Sequence, residues 1–307
     1  MGAAARGNSK IRSSKDAPTH AGRHALGRHN GHPAAALATP PAAILDAPTR
    51  EFYLRSLHTI EATGIRYVVA GAYALAYHAG IVRHTKDLDL FMRRQDVPRA
   101  LEALEKQGCR SVWAHPHWLA KSYAPENENT DGAFLDFIFR SANGMCEVDD
   151  DWLDHACPGD VLGRPTPLCP AEEIIWSKAW VMARERFDGA DIAHLIQARG
   201  PDMDWRRLID RFVSGRNGGE RVLLGHLMFF GFVYPSERDN VPAWVIDELV
   251  DRVRKEPPVE GDVCRGTLVS WDQYLPDVKD RGYADARVKP HGDLTPAEVE
   301  RWTNAAK

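Results

Sequence analysis

The sequence predicts an α+β fold, on three observations. Between residues 49 and 165, short apolar runs such as Tyr67-Val68-Val69-Ala70 and Phe134-Leu135-Asp136-Phe137-Ile138-Phe139 are dense in branched and aromatic residues, the composition of buried strands. Segments with apolar residues three and four apart lie between them, the period of a helix packed on one face. Beyond about residue 165 the strand-like runs stop and helical patterns follow one another.

Residues 1–48 are rich in Ala, Gly, Ser, Pro and His and show no sustained period. They read as a disordered tail, since they carry too little apolar bulk to offset the entropy of ordering. His20, His24, His29 and His32 fall within it, either as weak metal ligands or as solvated side chains. A core is expected over residues 49–165, a helical region over 166–256 and a turn-rich C-terminal extension over 257–307.

From Thr49, the residues Phe52, Leu54, Leu57 and Ile60 mark an amphipathic helix ending near Gly64. The strand at residues 67–70 runs through Gly71 into a helix from Ala72 to Ala79, which Gly80 stops. A second strand covers Asp87-Leu88-Asp89-Leu90-Phe91, a helix covers residues 96–107 with Val97, Leu101 and Leu104 on one face, and a third strand covers residues 134–139. Pro170 suits the first position of a helix through Ile174, Lys178 and Met182. Further helices are expected over 189–199, 203–213, 219–230 and 242–254, until Pro257-Pro258 breaks the pattern. In the extension, Thr295-Pro296-Ala297-Glu298 has the spacing of a capping box at the start of a late helix.

Length and charge narrow the function. A chain of 307 residues can bury a sizeable core. It has no run of about 18 apolar residues that would span a membrane, and its first fifty residues lack the apolar centre of a signal peptide. The five cysteines form no C-x-x-C pair, so a zinc site or disulfide framework is not expected and a reducing, cytoplasmic setting is. Net charge is −4, but residues 1–50 hold seven Lys/Arg and two Asp, leaving 32 basic against 41 acidic residues and a balance of −9 in the remainder. Such a surface is not built for bulk electrostatic binding of DNA, and a small acceptor or a short acceptor end is easier to accommodate.

The chemistry concentrates in Arg83-His84-Thr85-Lys86-Asp87-Leu88-Asp89-Leu90. Strand residues two apart share a face, so Asp87 and Asp89 project together while Leu88 and Leu90 enter the core. Two such carboxylates can hold hard divalent cations, and Mg²⁺ suits them because it binds one or two carboxylates alongside phosphate oxygens. With two ions, one activates the attacking oxygen and the other neutralises the leaving group. An acidic edge strand with a wet face has the same pattern. Gly71 sits at a strand-to-helix junction, where exposed N–H groups cradle phosphate or where glycine merely makes a tight turn. Asp136 interrupts an apolar strand; it either completes a carboxylate triad, accepting or orienting an acceptor hydroxyl, or faces solvent.

Taken together, a strand-Gly-helix unit, an Asp-x-Asp pair on the next strand and a lone Asp on a later strand resemble the DNA polymerase β-like nucleotidyltransferases. Within that superfamily the chain is most similar to small bacterial nucleotidyltransferase-like proteins with a helical C-terminal part, some of which act as toxins or antitoxins in two-gene modules. The resemblance covers about residues 50–140 and extends to about 200. It implies a mixed sheet flanked by helices, followed by a helical C-terminal region. It implies metal-ligand roles for Asp87 and Asp89, the third-carboxylate role for Asp136, two Mg²⁺ ions, an NTP substrate and a possible partner protein from such a module. The expected activity moves a nucleoside monophosphate onto a hydroxyl of a small molecule, an RNA end or a protein. One position departs from the family motif: Ala72 follows Gly71 where Gly or Ser is usual, which removes a hydroxyl that helps hold triphosphate. A non-catalytic nucleotide-binding or antitoxin-like module on the same fold is the alternative.

Other residues supplement this set, each with two readings. Arg83 either forks onto phosphate or forms a salt bridge, and Thr85 either orients a carboxylate or simply favours the strand. Lys178 either reaches the triphosphate or snorkels to water. Arg184, Arg186, Asp188 and Asp191 form a charged cluster, in which Asp188 suits the N-cap of the next helix. His115 and His117 flank Pro116 in an expected loop, either binding metal or transferring protons, or as plain surface histidines. Trp271, Tyr274 and Trp302 either pack against the body, as expected, or offer an aromatic platform for a base.

Overall fold

The computed structural model describes residues 45–305 apart from 84, 86, 126–129, 131, 142 and 215–217. The tail expected over residues 1–48 lies almost wholly outside the described residues. The first helix, α1 (Ala47–Ala62), starts where the Asp46 carboxylate accepts from the Thr49 backbone N–H at 2.8 Å, and it buries Phe52, Tyr53, Leu57 and Ile60. Strand β1 (Val68–Val69) leads through Gly71 into α2 (Gly71–Ala79), which ends at Gly80 in the left-handed region, its N–H donating to the Ala76 carbonyl. Strand β2 (Asp87–Phe91) follows, then α3 (Val97–Glu105), which buries Val97, Ala100, Leu101 and Leu104.

The chain next forms β3 (Arg110–His115), β4 (Leu119–Tyr123), β5 (Phe134–Ile138), the short helix α4 (Asp150–Asp154), β6 (Cys157–Val161) and β7 (Arg164–Leu168). Seven strands make one sheet in the order β3-β4-β5-β2-β1-β7-β6. The β2–β5 and β1–β7 pairs are parallel and the others antiparallel, so the sheet is mixed. Helices α5 (Ala171–Ala179), α6 (Gly189–Arg199), α7 (Trp205–Val213), α8 (Gly219–Val233) and α9 (Ala243–Lys255) then build the helical C-terminal region. The extension adds α10 (Trp271–Asp280), a small pair of β8 (Val263–Cys264) with β9 (Ala284–Asp285), and α11 (Pro296–Ala305). At the start of α11, Thr295 and Glu298 make the reciprocal bonds of a capping box. Among the described residues no helix is long and apolar enough to cross a membrane.

The sheet separates two cores. Leu88, Leu90, Leu135 and Phe137 face a core closed by α1 and α3. On the other side Val68, Ala70 and Trp152 join the interior faces of α5 to α9. A single shift of strand register would move the leucines of β2 out of the first core, so the alternation fixes the side to which its aspartates point.

Four strands of the seven-stranded sheet, the short β8–β9 pair and two helices escape the periodicity of the sequence. β6 and β7 carry Pro158, Pro165 and Pro167, residues that cannot donate to a ladder. They are tolerated because β6 is an edge strand and β7 meets β1 only around Leu168. β3 and β4 mix polar and apolar residues on both faces, so His115 ends a strand where a loop was expected. α10 contains Pro276, which made its stretch read as turns, and α4 spans only five residues.

An ion-pair network ties α5 to α7. Glu173 is fully buried and bonds Arg207, while Arg207 also reaches Glu172 at 2.8 Å and Arg211 reaches Asp149 at 2.6 Å. Removing Arg207 leaves Glu173 with Arg211 alone at 3.3 Å. We expect Arg207→Ala to destabilise the protein by about 3 kcal/mol. The check is a lower denaturant midpoint at unchanged slope.

Candidate active site

Asp87 and Asp89 emerge half-buried from β2, between the fully buried Leu88 and Leu90. The parallel neighbour β5 is in register, pairing Asp87 with Phe134 and Asp89 with Asp136. Paired residues on adjacent strands share a face, so Asp136 joins the β2 aspartates. One carboxylate oxygen from each of the three residues lies within 4.8 Å of the others.

Gly71 lines this cluster. Its φ is +56°, and a Cβ placed on it would stand 1.8 Å from Asp89 Oδ2. The Asp89 carboxylate therefore lies against the first residue of α2. No side chain caps this helix, and Ala72 is its second residue. The backbone locks the junction as well, since Ala70 N–H donates to the Asp89 carbonyl at 3.0 Å.

Burial raises the Asp89 carboxyl to about 7, helped by the like charges of Asp87 and Asp136 and opposed by Lys178 and Arg186. Among the described residues its carboxylate has no ion-pair partner. Burial also pushes the Asp136 carboxyl up, against the opposing pull of Lys121, whose Nζ donates to it at 2.7 Å. The Thr85 hydroxyl donates to Asp87 Oδ1. Tyr73 is buried with its hydroxyl unpaired among the described residues. Burial and the nearby Tyr73, Asp87, Asp89 and Asp136 hold the Tyr53 phenol protonated.

Such a cluster suits a divalent cation. Three carboxylates converge, two of them, Asp87 and Asp89, have no ion-pair partner among the described residues, and oxygen ligands at this spacing fit around a hard ion.

Two of the expected substrate contacts are engaged by carboxylates of α6 and its N-cap. Arg83 forms an ion pair with Asp191 of α6, so of its two readings the structure displays the salt bridge. Lys178 bonds Asp188 at 2.8 Å and Asp191 at 2.9 Å. Asp188 stands at the N-cap position of α6 but makes no capping bond. Its carboxylate is taken instead by Lys178 and Arg186, which hold it below the usual range despite burial. This basic group still acts on Asp89 through space, which couples it to the cluster. His115 stacks on Trp118 and His117 on Trp302, away from any group of metal ligands among the described residues.

Lys121 is the neighbour the sequence did not single out. It lies on β4, whose antiparallel register places it opposite Asp136. A lone lysine between Ala120 and Ser122 gives no local sign of that pairing.

Among curated proteins none matches the chain. Several solved structures resemble it at low identity. The antibiotic-resistance factor ANT(2'')-Ia shares 17% identity at a TM-score of 0.37, over 64% of this chain and 98% of its own. The lincosamide antibiotic adenylyltransferase LnuA shares 16% at a TM-score of 0.34, over 49% and 97%. JHP933 from Helicobacter pylori shares 12% at a TM-score of 0.37, over 68% and 97%. A family model described as uncharacterised nucleotidyltransferase matches residues 57–216, a stretch that runs from α1 past α7 and takes in the whole carboxylate cluster. That match spans just over half of the chain, and the protein accordingly belongs to this nucleotidyltransferase family.

Proposed function

We propose that the protein moves a nucleoside monophosphate from an NTP to a hydroxyl acceptor with the help of Mg²⁺. The observation that carries this reading is the convergence of Asp87, Asp89 and Asp136 beside Gly71 at the start of α2. The three carboxylates would hold two Mg²⁺ ions. When bound, Mg²⁺ neutralises charge on the triphosphate and on the oxygens that enter and leave.

The chain's own groups do the rest. The free N–H groups of α2 face the triphosphate, aided by the helix dipole. Ala72 offers no hydroxyl there, so the backbone alone serves. The acceptor oxygen forms a bond to the α-phosphorus, the bond from that phosphorus to the oxygen bridging to the β-phosphate breaks, and pyrophosphate departs. The hydroxyl proton passes to an Asp136 carboxylate oxygen. Thr85 holds Asp87 in place through its hydroxyl. Lys178, Arg186 and Arg83, braced by Asp188 and Asp191, supply positive charge at the cluster's border. The buried thiols of Cys109, Cys146 and Cys169 fit a cytoplasmic protein.

An α-phosphate-labelled NTP, offered with a pool of hydroxyl compounds, tests this directly. Label should move onto an acceptor with Mg²⁺ and stop with a chelator. Transfer that persists at full rate in the chelator would contradict the proposal. Ala72 favours a second reading, a module that binds nucleotide without turnover. Calorimetry would then show Mg²⁺-dependent ATP binding with no pyrophosphate released from any acceptor pool.

Lys121 tunes the step. Replacing it with methionine removes the cation that holds the Asp136 carboxyl down, so that group rises further. A base must be deprotonated to work, so the rising limb of the pH–rate profile should move to higher pH. We expect Lys121→Met to lose more activity at pH 6 than at pH 8.5, and equal loss at both would refute the assignment.

A further inference from the structure

We infer that the face of β5, β4 and β3 beside the carboxylates seats the acceptor, and that the acceptor is a small hydroxyl compound carrying a flat heteroaromatic ring and an anionic group. Strand register lays two rows of side chains across this face. One runs Asp89, Asp136, Lys121, Val112, and the other Asp87, Phe134, Tyr123, Arg110. Contacts follow the rows: Lys121 Nζ sits 4.1 Å from the centre of the Phe134 ring, the Tyr123 and Phe134 rings are 5.5 Å apart, and the Arg110 guanidinium lies 4.3 Å over Tyr123.

These side chains serve neither hydrophobic core. Tyr123 and Phe134 are half-buried and Arg110 is exposed, whereas Ala120, Leu135 and Phe137, on the opposite face of the same strands, fill the α1–α3 core. Among the described residues Arg110 has no carboxylate partner, and its guanidinium lies over the Tyr123 ring. A guanidinium over an aromatic pair, with no carboxylate partner among the described residues, matches a flat ring that bears negative charge.

Direction and size agree with an acceptor. Because this seat rests on the transfer reaction proposed above, the triphosphate lies towards β1 and the start of α2. An in-line displacement brings the attacking hydroxyl from the opposite side. In the strand order that side is β5, then β4, then β3. Neighbouring strands are about 4.8 Å apart, so Tyr123 stands roughly 10 Å across the sheet from Asp87. A ring joined to a hydroxyl-bearing group covers such a span. A long polyanion would need several phosphate contacts, which a surface with 32 basic against 41 acidic residues beyond residue 50 does not favour.

Calorimetry on the full chain provides the test, with uridine 5′-monophosphate as probe and the protein saturated with Mg²⁺ and a non-hydrolysable NTP analogue. The probe should bind, and ribose 5-phosphate, which lacks the ring, should bind at least about fivefold more weakly. Tyr123→Ala should weaken the probe by a similar factor and Tyr123→Phe should restore it. Arg110→Ala should weaken the monophosphate but not uridine. Analogue binding, measured first, separates the two ideas and reports on folding. Wild-type protein that fails to bind the analogue with Mg²⁺ would overturn the transfer reaction itself. Normal analogue binding, with either no saturable probe binding or a probe affinity unchanged in both Tyr123→Ala and Arg110→Ala, would overturn the acceptor seat alone.

Discussion

Asp89→Asn should abolish Mg²⁺-dependent transfer and, in chelator at pH 8, make the protein more stable. Both effects arise from one carboxylate. Its ordinary value of 3.8 is raised to about 7 in the fold, chiefly by burial and then by Asp87 and Asp136. A group raised in this way binds its proton more tightly folded than unfolded. Its favourable contribution is full below 3.8 and is lost as pH rises through about 7. At pH 8 the folded, metal-free protein therefore holds a charge it would rather release. Asparagine has a similar shape without the charge, so the variant should gain on the order of 1–3 kcal/mol. That corresponds to an unfolding midpoint raised by roughly 2–10 °C for a chain of this size class. The gain should be smaller at pH 5 than at pH 8, disappearing only below 3.8, and it should shrink when saturating Mg²⁺ stabilises the wild type alone. Transfer should fall by a factor of at least about 10³, since electrostatic stabilisation of the reacting phosphate is the largest contribution such a site makes. Thermal melts at the two pH values, with and without Mg²⁺, check the stability half. An Asp89→Asn protein that melts at the wild-type temperature under all four conditions would show that Asp89 is not a strained carboxylate.

The visibility of the site in the sequence followed the range of the interactions involved. Asp87 and Asp89 were legible because strand alternation is local: two leucines must be buried, so two aspartates must face the other way. Asp136 stood out because a carboxylate in a run of Leu and Phe needs a reason to be there. Gly71 stood out as the junction between a strand and a helix. Lys121 did not, because its place opposite Asp136 depends on how β4 pairs, and β4 has no clean alternation. Arg83 and Lys178 were visible as charges, but their partners were not. Asp191 lies 108 residues from Arg83, and only the packing of α6 on α2 brings them together. Asp188 had the local signature of a cap, yet two cations compete for its carboxylate and win, since a charge-assisted bond is stronger than a neutral one. The strands β6 and β7 were hidden by their prolines, whose missing donors matter only where a neighbouring strand would need them.

Gly71→Ala should inactivate the enzyme without replacing any ionisable group. Two constraints act at the residue. Its φ of +56° is a conformation that L side chains rarely adopt, which costs alanine roughly 1 kcal/mol. The new methyl would also stand 1.8 Å from Asp89 Oδ2 and 2.8 Å from its carboxyl carbon, so the side chain or the start of α2 must move. Asp89 is the soft partner, and its displacement pulls one corner out of the carboxylate cluster. A reacting centre misplaced by about 1 Å can lose on the order of 10²-fold in rate, and the crowded helix start should lose phosphate affinity in addition. The cause can be separated from simple misfolding by a double-mutant cycle. In an Asp89→Ala background the carboxylate is gone, and the nearest Asp89 atom to the added methyl is Cβ at 3.3 Å. Gly71→Ala should then destabilise the protein by only the backbone amount, about 1 kcal/mol, against a larger loss in the wild-type background. Equal losses in both backgrounds would mean that the glycine is required for the turn alone and that the carboxylate does not lean on it.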